Sequence, residues 1–293
     1  MKKTLVAVAA LAAVFGAQAQ ATISGVVDVA MTVNGTDSTL GAGPNGGSEF
    51  TVAAKEDLGN GLSATGAITL ITNIVNMDAA AVNMYNSHVG LAGEFGSVKL
   101  GQQFSPVFLA STIGDVTGRW NSAGLATPGE LQNGQSLTYT SPSISGVSLS
   151  FQRQLGTDGG ANDGFIQTGV GAAQAYSLTY SAGAFNAAYA NSTDATNGDT
   201  TLFALSYDFG MAKVNYQNLT TTVGGDAKGN QIGISVPFGA LTVGAQFSSN
   251  GDNESATSYV ANYAVSKRTL AYLSSNTAAS GAVTTSVGLK HAF

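Results

Sequence analysis

Two histidines, His88 and His291, are the side chains of this sequence best suited to acid–base catalysis near neutral pH. Neither belongs to a recognisable catalytic arrangement, because the sequence contains no Gly-x-Ser-x-Gly turn and no His-Glu-x-x-His motif. It also has no cysteine. We therefore expect no enzyme, no metal centre and no cofactor. A hydrolase built around His88 is the weakest alternative, and an activity that is lost on the His88→Ala substitution would revive it.

Lysines at regular positions indicate a second possible role, which is ion selectivity. Only 10% of the 293 residues are charged, against about 25% in soluble domains. Lys55, Lys99 and Lys290 each occupy a polar position in a segment that alternates apolar and polar residues. Charged groups that ring an aqueous passage determine which ions cross it, so these lysines are candidates for that role.

A second set of charges lies in the stretch 104–134, which shows neither sustained alternation nor a helical period. It contains Asp115, Arg119 and Glu130, together with the single tryptophan, Trp120. Long connections without regular structure in compact proteins are usually functional or disordered. We interpret this stretch as the candidate functional loop, with ordinary solvated loop charges as the alternative.

Nine further acidic residues fall in the predicted long connections. They are Asp37, Asp78, Asp158, Asp163, Asp194, Asp199, Asp226, Asp252 and Glu254. Clustered carboxylates can hold Ca²⁺ through oxygen ligands, but the sequence has no twelve-residue calcium loop. We favour solvated loop tips and keep calcium as the alternative.

The elements that position these side chains are strands with one apolar face. The alternation is clearest between residues 200 and 249, where Phe203, Leu205 and Tyr207 alternate with small or polar residues. A period of two over about ten residues predicts a strand. Short turns such as Phe209-Gly210 alternate with longer polar loops. Strands of this length, linked alternately by short turns and long loops, are typical of a barrel that spans a membrane.

Composition supports the same interpretation. No apolar run reaches the roughly 18 residues of a membrane helix, although 44% of the residues are hydrophobic. If the apolar residues are spread over one face of many strands, the chain can be 44% hydrophobic without any long apolar run. In lipid such strands persist only as a closed barrel, since every backbone N–H and C=O must be paired.

The first 21 residues predict a separate segment. Lys2 and Lys3 precede an apolar run, and two small-x-small sites, ending at Ala19 and Ala21, follow it. We interpret residues 1–21 as a cleaved secretory signal peptide and 22–293 as the barrel. Removing Lys2 and Lys3 changes the formal net charge from −6 to −8, so we expect no nucleic-acid partner.

Counting the alternating segments gives sixteen predicted strands. An even number places both chain ends on one side, so the first and last strands can pair antiparallel and close the sheet. A barrel of this size holds water along its axis. A soluble two-sheet sandwich is the alternative for the same strands.

Tyrosine and phenylalanine residues near the strand ends predict aromatic girdles at the two membrane interfaces. The predicted girdle residues are Tyr85, Phe95, Tyr139, Tyr176, Phe185, Phe209, Phe238, Tyr259 and Tyr272. An aromatic path for sugars is the alternative.

Several motifs in this order resemble the Gram-negative general porins, which are trimeric sixteen-stranded barrels of the outer membrane. The resemblance rests on Gly25-Val26-Val27-Asp28, on Glu56-Asp57-Leu58-Gly59-Asn60-Gly61-Leu62, on Val89-Gly90-Leu91 before Phe95-Gly96, on Leu100-Gly101-Gln102-Gln103-Phe104-Ser105-Pro106, and on Gly288-Leu289-Lys290-His291-Ala292-Phe293. It covers nearly the whole chain.

The resemblance implies a water-filled channel for small hydrophilic solutes and ions. It also implies a homotrimer in contact with outer-membrane lipid and lipopolysaccharide, and a third outer loop that folds inward to form an eyelet. By position that loop is 104–134. We expect Asp115, Arg119 and Glu130 to face Lys55, Lys99 and Lys290 across the gap, and Phe293 to serve assembly of the closing strand.

Two departures from the family pattern affect ion selectivity. Family members often carry a basic residue at the position of Gln102 and another near Tyr85 or Asn86, and both are missing here. We therefore expect a weak preference for cations. A barrel that serves adhesion or structural tethering is the alternative function, and single-channel conductance separates the two.

Overall fold

The computed structural model describes residues 20–44, 47–72, 74–75, 82–116, 132–155, 173–193, 198–222, 227–250 and 254–293. The strands are β1 (Gln20–Asn34), β2 (Asp37–Ala42), β3 (Ser48–Gly59), β4 (Leu62–Thr72), β5 (Val82–Met84), β6 (Ser87–Gly93), β7 (Gly96–Phe104), β8 (Gln132–Thr140), β9 (Val147–Gln154), β10 (Gln174–Ala182), β11 (Phe185–Thr193), β12 (Thr200–Asp208), β13 (Lys213–Thr221), β14 (Ala227–Phe238), β15 (Leu241–Asn250), β16 (Ser255–Ala264), β17 (Thr269–Thr277) and β18 (Val283–Ala292). A helix, α1 (Pro106–Ser111), and a 3₁₀ turn (Thr112–Gly114) follow β7. Among the described residues, no helix has both the length and the apolar character needed to cross a bilayer.

The strands form one antiparallel sheet that closes on itself, because β1 pairs with β18 from Val26↔Ala292 to Asn34↔Thr284. β2 and β3 pair with successive parts of the same strand, β1. In the same way, β5 and β6 pair with successive parts of β4. Taking each of these pairs as one strand reduces the eighteen to the sixteen of a closed ring. The predicted sixteen-stranded barrel is therefore confirmed, and the sandwich is excluded.

The seam of the ring lies at the last residue. Phe293 exchanges two backbone hydrogen bonds with Gly25, Gly25 N to Phe293 O at 3.2 Å and Phe293 N to Gly25 O at 3.0 Å. The ring of Phe293 lies over Gly25, where a Cβ would come within 2.5 Å of Cζ. Of the predicted signal peptide, residues 1–19 lie outside the described residues, and Gln20 and Ala21 begin β1.

The chain between β1 and β3 differs from the predicted loop. The sequence predicts a connection as far as Gly47, but Asp37–Ala42 form β2 and pair with β1. β2 ends at Ala42 and β3 begins at Ser48, so the second strand of the ring consists of two pieces. A six-residue strand of mostly small and polar residues carries too little alternation to be predicted.

The two faces of the sheet differ as the alternation predicts. Large apolar side chains are exposed on one face, which is the membrane side. Most of its aromatic residues lie on β9–β16: Phe151, Tyr176, Tyr180, Tyr189, Phe203, Tyr207, Tyr216, Phe238, Phe247, Tyr259 and Tyr263. They fit an aromatic girdle at the membrane interface.

Two of the predicted girdle residues are not on that face. Tyr85 and Tyr272 are buried, with 9% and 3% of their surface exposed. Tyr85 lies in the break between β5 and β6, where the alternation is interrupted. Tyr272 precedes the outward Leu273 and therefore points into the barrel. In both cases, nearness to a strand end was the wrong criterion for a girdle residue. For Tyr272, the alternation of inward and outward side chains along β17 is enough to identify it as inward.

Candidate pore constriction

The connection after β7 starts as a helix because its first residues favour one. Ser105 is the N-cap, and its hydroxyl accepts a hydrogen bond from Phe108 N at 3.0 Å. Pro106 occupies the first turn, where its missing N–H costs nothing. Only six residues are helical, which is too short for a helical period to be visible in the sequence. The loop predicted as 104–134 thus runs from Ser105 to residue 131 between β7 and β8.

The helix packs against an apolar patch inside the barrel. Val107 and Ala110 of α1, together with Ile113 of the 3₁₀ turn, contact it. The patch consists of inward residues of β10–β13, namely Ala175, Ala188, Ala190, Leu202, Ala204 and Leu219. Because four of the six are alanine, the helix can approach the strands closely. We call the inner face of β10–β14 the docking wall.

The 3₁₀ turn is fixed to the docking wall by two amide side chains. Both Asn215 and Gln231 donate to the carbonyl oxygen of Gly114, with Gln231 Nε2 at 2.8 Å. Glycine is required there, since a Cβ would lie 2.5 Å from Oε1 of Gln217. Asn215 lies near the start of β13, close to the short turn that precedes it. The connection therefore descends from the loop end of the barrel to the level of Gln217 and Gln231, near the middle of β13 and β14.

An aromatic cluster holds the root of the same connection. Phe104 contacts Tyr85 edge-on and Phe108 in a tilted arrangement, with ring centroids 5.1 Å apart in each pair. Such pairs contribute about 0.5–1.5 kcal/mol each beyond their burial. The connection is thus anchored at its start by aromatic rings and at Gly114 by amides.

Asp115 follows this anchored turn directly and is half-buried. Leu109 of α1 is 51% exposed on the side away from the docking wall. Arg119 and Glu130 lie outside the described residues. Of the three predicted loop charges, the structure therefore places Asp115 alone, at a fixed turn inside the barrel.

Two of the three predicted lysines share one wall. Lys55 on β3 and Lys99 on β7 point inward, since Val52 and Leu100 beside them are exposed on the membrane face. Both lie in the half of their strand nearest the short turns. His88 on β6 points inward between them. We call the inner face of β3, β4, β6 and β7 the lysine wall.

Lys290 has a different environment. It lies on β18 directly opposite Asp28 of β1, and both side chains point inward. The structure therefore separates Lys290 from the lysine wall and places an acidic neighbour beside it.

Asp28 is a site that sequence reasoning missed. It is 0% exposed although it points inward, and Tyr272 donates its hydroxyl to Oδ1 at 2.6 Å. The backbone N–H of Asp28 donates to the Ser48 hydroxyl at 3.0 Å. Gly43 lies over the carboxylate so closely that a Cβ would collide with it. The alternation of side chains along β1 gives the direction of Asp28, but the close approach of Gly43 that covers it leaves no signal in the sequence.

Three of the nine loop acids, Asp37, Asp199 and Glu254, lie within the described residues. The other six lie outside them. Across the part of the chain that the structure describes, no three His, Asp or Glu side chains come together in a group that could hold a metal ion.

Comparisons with known proteins agree with this architecture. A family model described as Gram-negative porin matches residues 4–279. Outer membrane porin protein 32 of Delftia acidovorans is 30% identical over 277 residues, covering 82% of this chain and 77% of the relative.

Solved structures share the fold. An anion-selective porin from Comamonas acidovorans superposes with a TM-score of 0.75 at 21% identity, covering 94% of this chain and all of that one. OmpF of Salmonella typhi, in complex with daunomycin, gives a TM-score of 0.73 at 15% identity, covering 95% and 98% of the two chains. At these identities the likeness concerns the fold.

Proposed function

Since this chain belongs to the Gram-negative porins, it is an outer-membrane channel for passive diffusion, and we propose that the connection after β7 forms its eyelet. Asp115, Arg119 and Glu130 supply the charges of the loop side. Lys55 and Lys99 supply the opposite side, and Lys290 adds a charge on β18, outside the lysine wall. Small hydrophilic solutes and ions are the proposed cargo.

The observation that carries this proposal is the position of the two walls. The 3₁₀ turn before Asp115 is held by β13 and β14. Counted around the ring of sixteen, β13 and β14 lie half-way round from β4 and β6, which separate the strands of Lys55 and Lys99. On this proposal the carboxylate of Asp115 lies across the lumen from two ammonium groups, and opposed charges across a narrow passage select the solutes that pass.

Neutralising the loop charges tests the eyelet. We expect the double variant Asp115→Asn, Arg119→Gln to change the ratio of cation to anion permeability, measured as a reversal potential across a planar bilayer in a salt gradient. The matched control is Glu56→Gln with Lys228→Gln, which removes one charge of each sign from the membrane face. An unchanged ratio in the loop variant would remove these residues from the eyelet.

We also propose that the channel is a homotrimer assembled through the face of β17, β18, β1, β3, β4, β6 and β7. The membrane face of these strands carries aliphatic residues such as Ile23, Ile68, Val89 and Leu289, all exposed in the isolated chain. The aromatic girdle that suits a lipid interface runs along the other side of the barrel. Within these seven strands Phe50 is the one strongly exposed aromatic residue. A mostly aliphatic face that is poor in interfacial aromatics fits a protein neighbour better than lipid headgroups.

Because the chain has no cysteine, single-cysteine variants test this interface cleanly. A thiol-reactive cross-linker should join subunits that carry Val89→Cys. It should leave Tyr216→Cys, on the girdled side, as single subunits. Equal cross-linking of both variants, or of neither, would contradict the assignment.

Three expectations stay predictions. They are contact of the girdled side with lipopolysaccharide, binding of Ca²⁺ by the loop carboxylates, and a weak preference for cations. A reversal potential of anion sign would contradict the last of these.

A further inference from the structure

The lysine wall contains a row of directly opposed residues with a lysine at each end. Lys55 pairs with Thr65, Thr65 with Gly90, and Gly90 with Lys99. All four therefore lie on one line across β3, β4, β6 and β7, on the inner face. Three strand spacings of about 4.8 Å put the two lysine Cα atoms about 14 Å apart.

The residues between the two lysines are small, and one lysine leans over them. A Cβ added to Gly90 would lie 2.9 Å from Cγ of Lys99 and 2.6 Å from the carbonyl oxygen of Val98. The stem of Lys99 thus lies over Gly90, one strand closer to Lys55. Thr65 turns its hydroxyl toward the carbonyl oxygen of Gly90, at 3.4 Å. Between the stem of Lys99 and Lys55, the middle of the row is consequently a floor of small residues with a cationic group at each end.

His88 adds a third basic group above this floor. It lies two residues beyond Gly90 on the same face of β6. Its Nδ1 is buried and has no hydrogen-bond partner in the structure. The nearest inward acid on these strands, Asp57, directs its carboxylate to the backbone N–H of Gly59 in its own turn, at 2.8 Å.

We propose that this row is a binding station for short solutes that carry two separated carboxylates. Each carboxylate meets one ammonium group, and the carbon chain between them lies over Thr65. Ammonium–carboxylate hydrogen bonds are among the stronger ones in proteins. This inference rests on the proposed channel function and specifies one solute class for it. Small ions respond to the summed charge of the whole path, whereas a bound solute responds to the two lysines that it touches.

The test uses succinate as the two-carboxylate probe and acetate as the one-carboxylate probe. Each is added to purified protein conducting KCl in a planar bilayer, and the concentration that halves the KCl current is measured. We expect succinate to act at a concentration at least roughly tenfold below that of acetate, because it makes two charged contacts instead of one. Lys55→Gln and Lys99→Gln should each weaken the succinate effect roughly tenfold.

Lys213→Gln is the matched control. Lys213 is also an inward lysine near the turn end, but it lies on β13 opposite Asp208, and its loss should leave the succinate effect unchanged. Succinate acting no more strongly than acetate, or equally on wild type and both lysine variants, would overturn the inference while the channel remains. Absence of any KCl current would instead overturn the channel function itself.

Discussion

The docking wall and the lysine wall face each other across one lumen, yet their inward positions are filled in opposite ways. The docking wall presents alanine and leucine, and α1 covers them. The lysine wall presents Lys55, Lys99 and His88 above small residues such as Gly90. One inner surface is buried by protein and the other keeps its charges at the water of the lumen.

This difference shows that the alternation along a barrel strand tells which side chains point inward. It does not tell whether an inward side chain contacts water or protein. An inward position is polar where water reaches it, and apolar where a loop displaces the water. Leu202 and Leu219 are inward and 0% exposed, so their burial gains hydrophobic free energy as in a soluble core. The lysines on the opposite wall need hydration or an anionic partner, because a charge buried without either is costly.

Closure of the ring is what makes the two walls face each other, so the largest expected effect comes from the seam. Deleting Phe293 removes both backbone hydrogen bonds to Gly25 and the ring that covers it. We expect most of the heat-stable oligomer to be lost, as measured by gel electrophoresis with and without heating. Phe293→Tyr, which keeps the backbone and an aromatic ring, is the control. Normal yields of the deletion variant would contradict a role in closure.

Overfilling the docking wall should have the next largest effect. Ala190 is 0% exposed beneath α1, and Ala190→Phe forces the helix toward the lumen at a cost of about 1–3 kcal/mol. Single-channel conductance should fall relative to wild type. Ala187→Phe, on the membrane face of the same strand, is the control. If both variants conduct like the wild type, α1 does not rest on this patch.

A smaller effect is expected from the amide contacts. Asn215→Leu removes one of two donors to the Gly114 carbonyl, and Gln231 remains. A weakened polar contact costs about 1 kcal/mol, enough for the 3₁₀ turn to leave the docking wall more often. We expect more current noise in open channels, with the mean conductance nearly unchanged. Asn218→Leu, an outward amide on the same strand, should add no noise, and equal noise in both variants would contradict the contact.

Periodicity was sufficient to predict the barrel because each strand carries its own two-faced pattern. It predicted the inward direction of Lys55, Lys99 and Lys290 for the same reason. It could not predict β2 or α1, since six residues are too few to establish a period. A signal for the docking wall was available: Ala175, Ala188, Ala190 and Ala204 are small residues at inward positions of three adjacent strands.

Other features depend on contacts between distant segments. The burial of Asp28 depends on Gly43, Ser48 and Tyr272, which lie up to 244 residues away in the chain. The opposition of the two walls depends on counting strands around a closed ring. No local stretch of the sequence predicts either relation, so both could be recognised only in the folded structure.

The most direct test of the central claim is the single-channel conductance of the purified protein in a planar bilayer. A closed ring of sixteen strands with a loop docked on one wall predicts stepwise currents of a water-filled, narrowed pore, with steps in groups of three if the subunits form trimers. Protein that inserts into the bilayer without producing any current steps would contradict it.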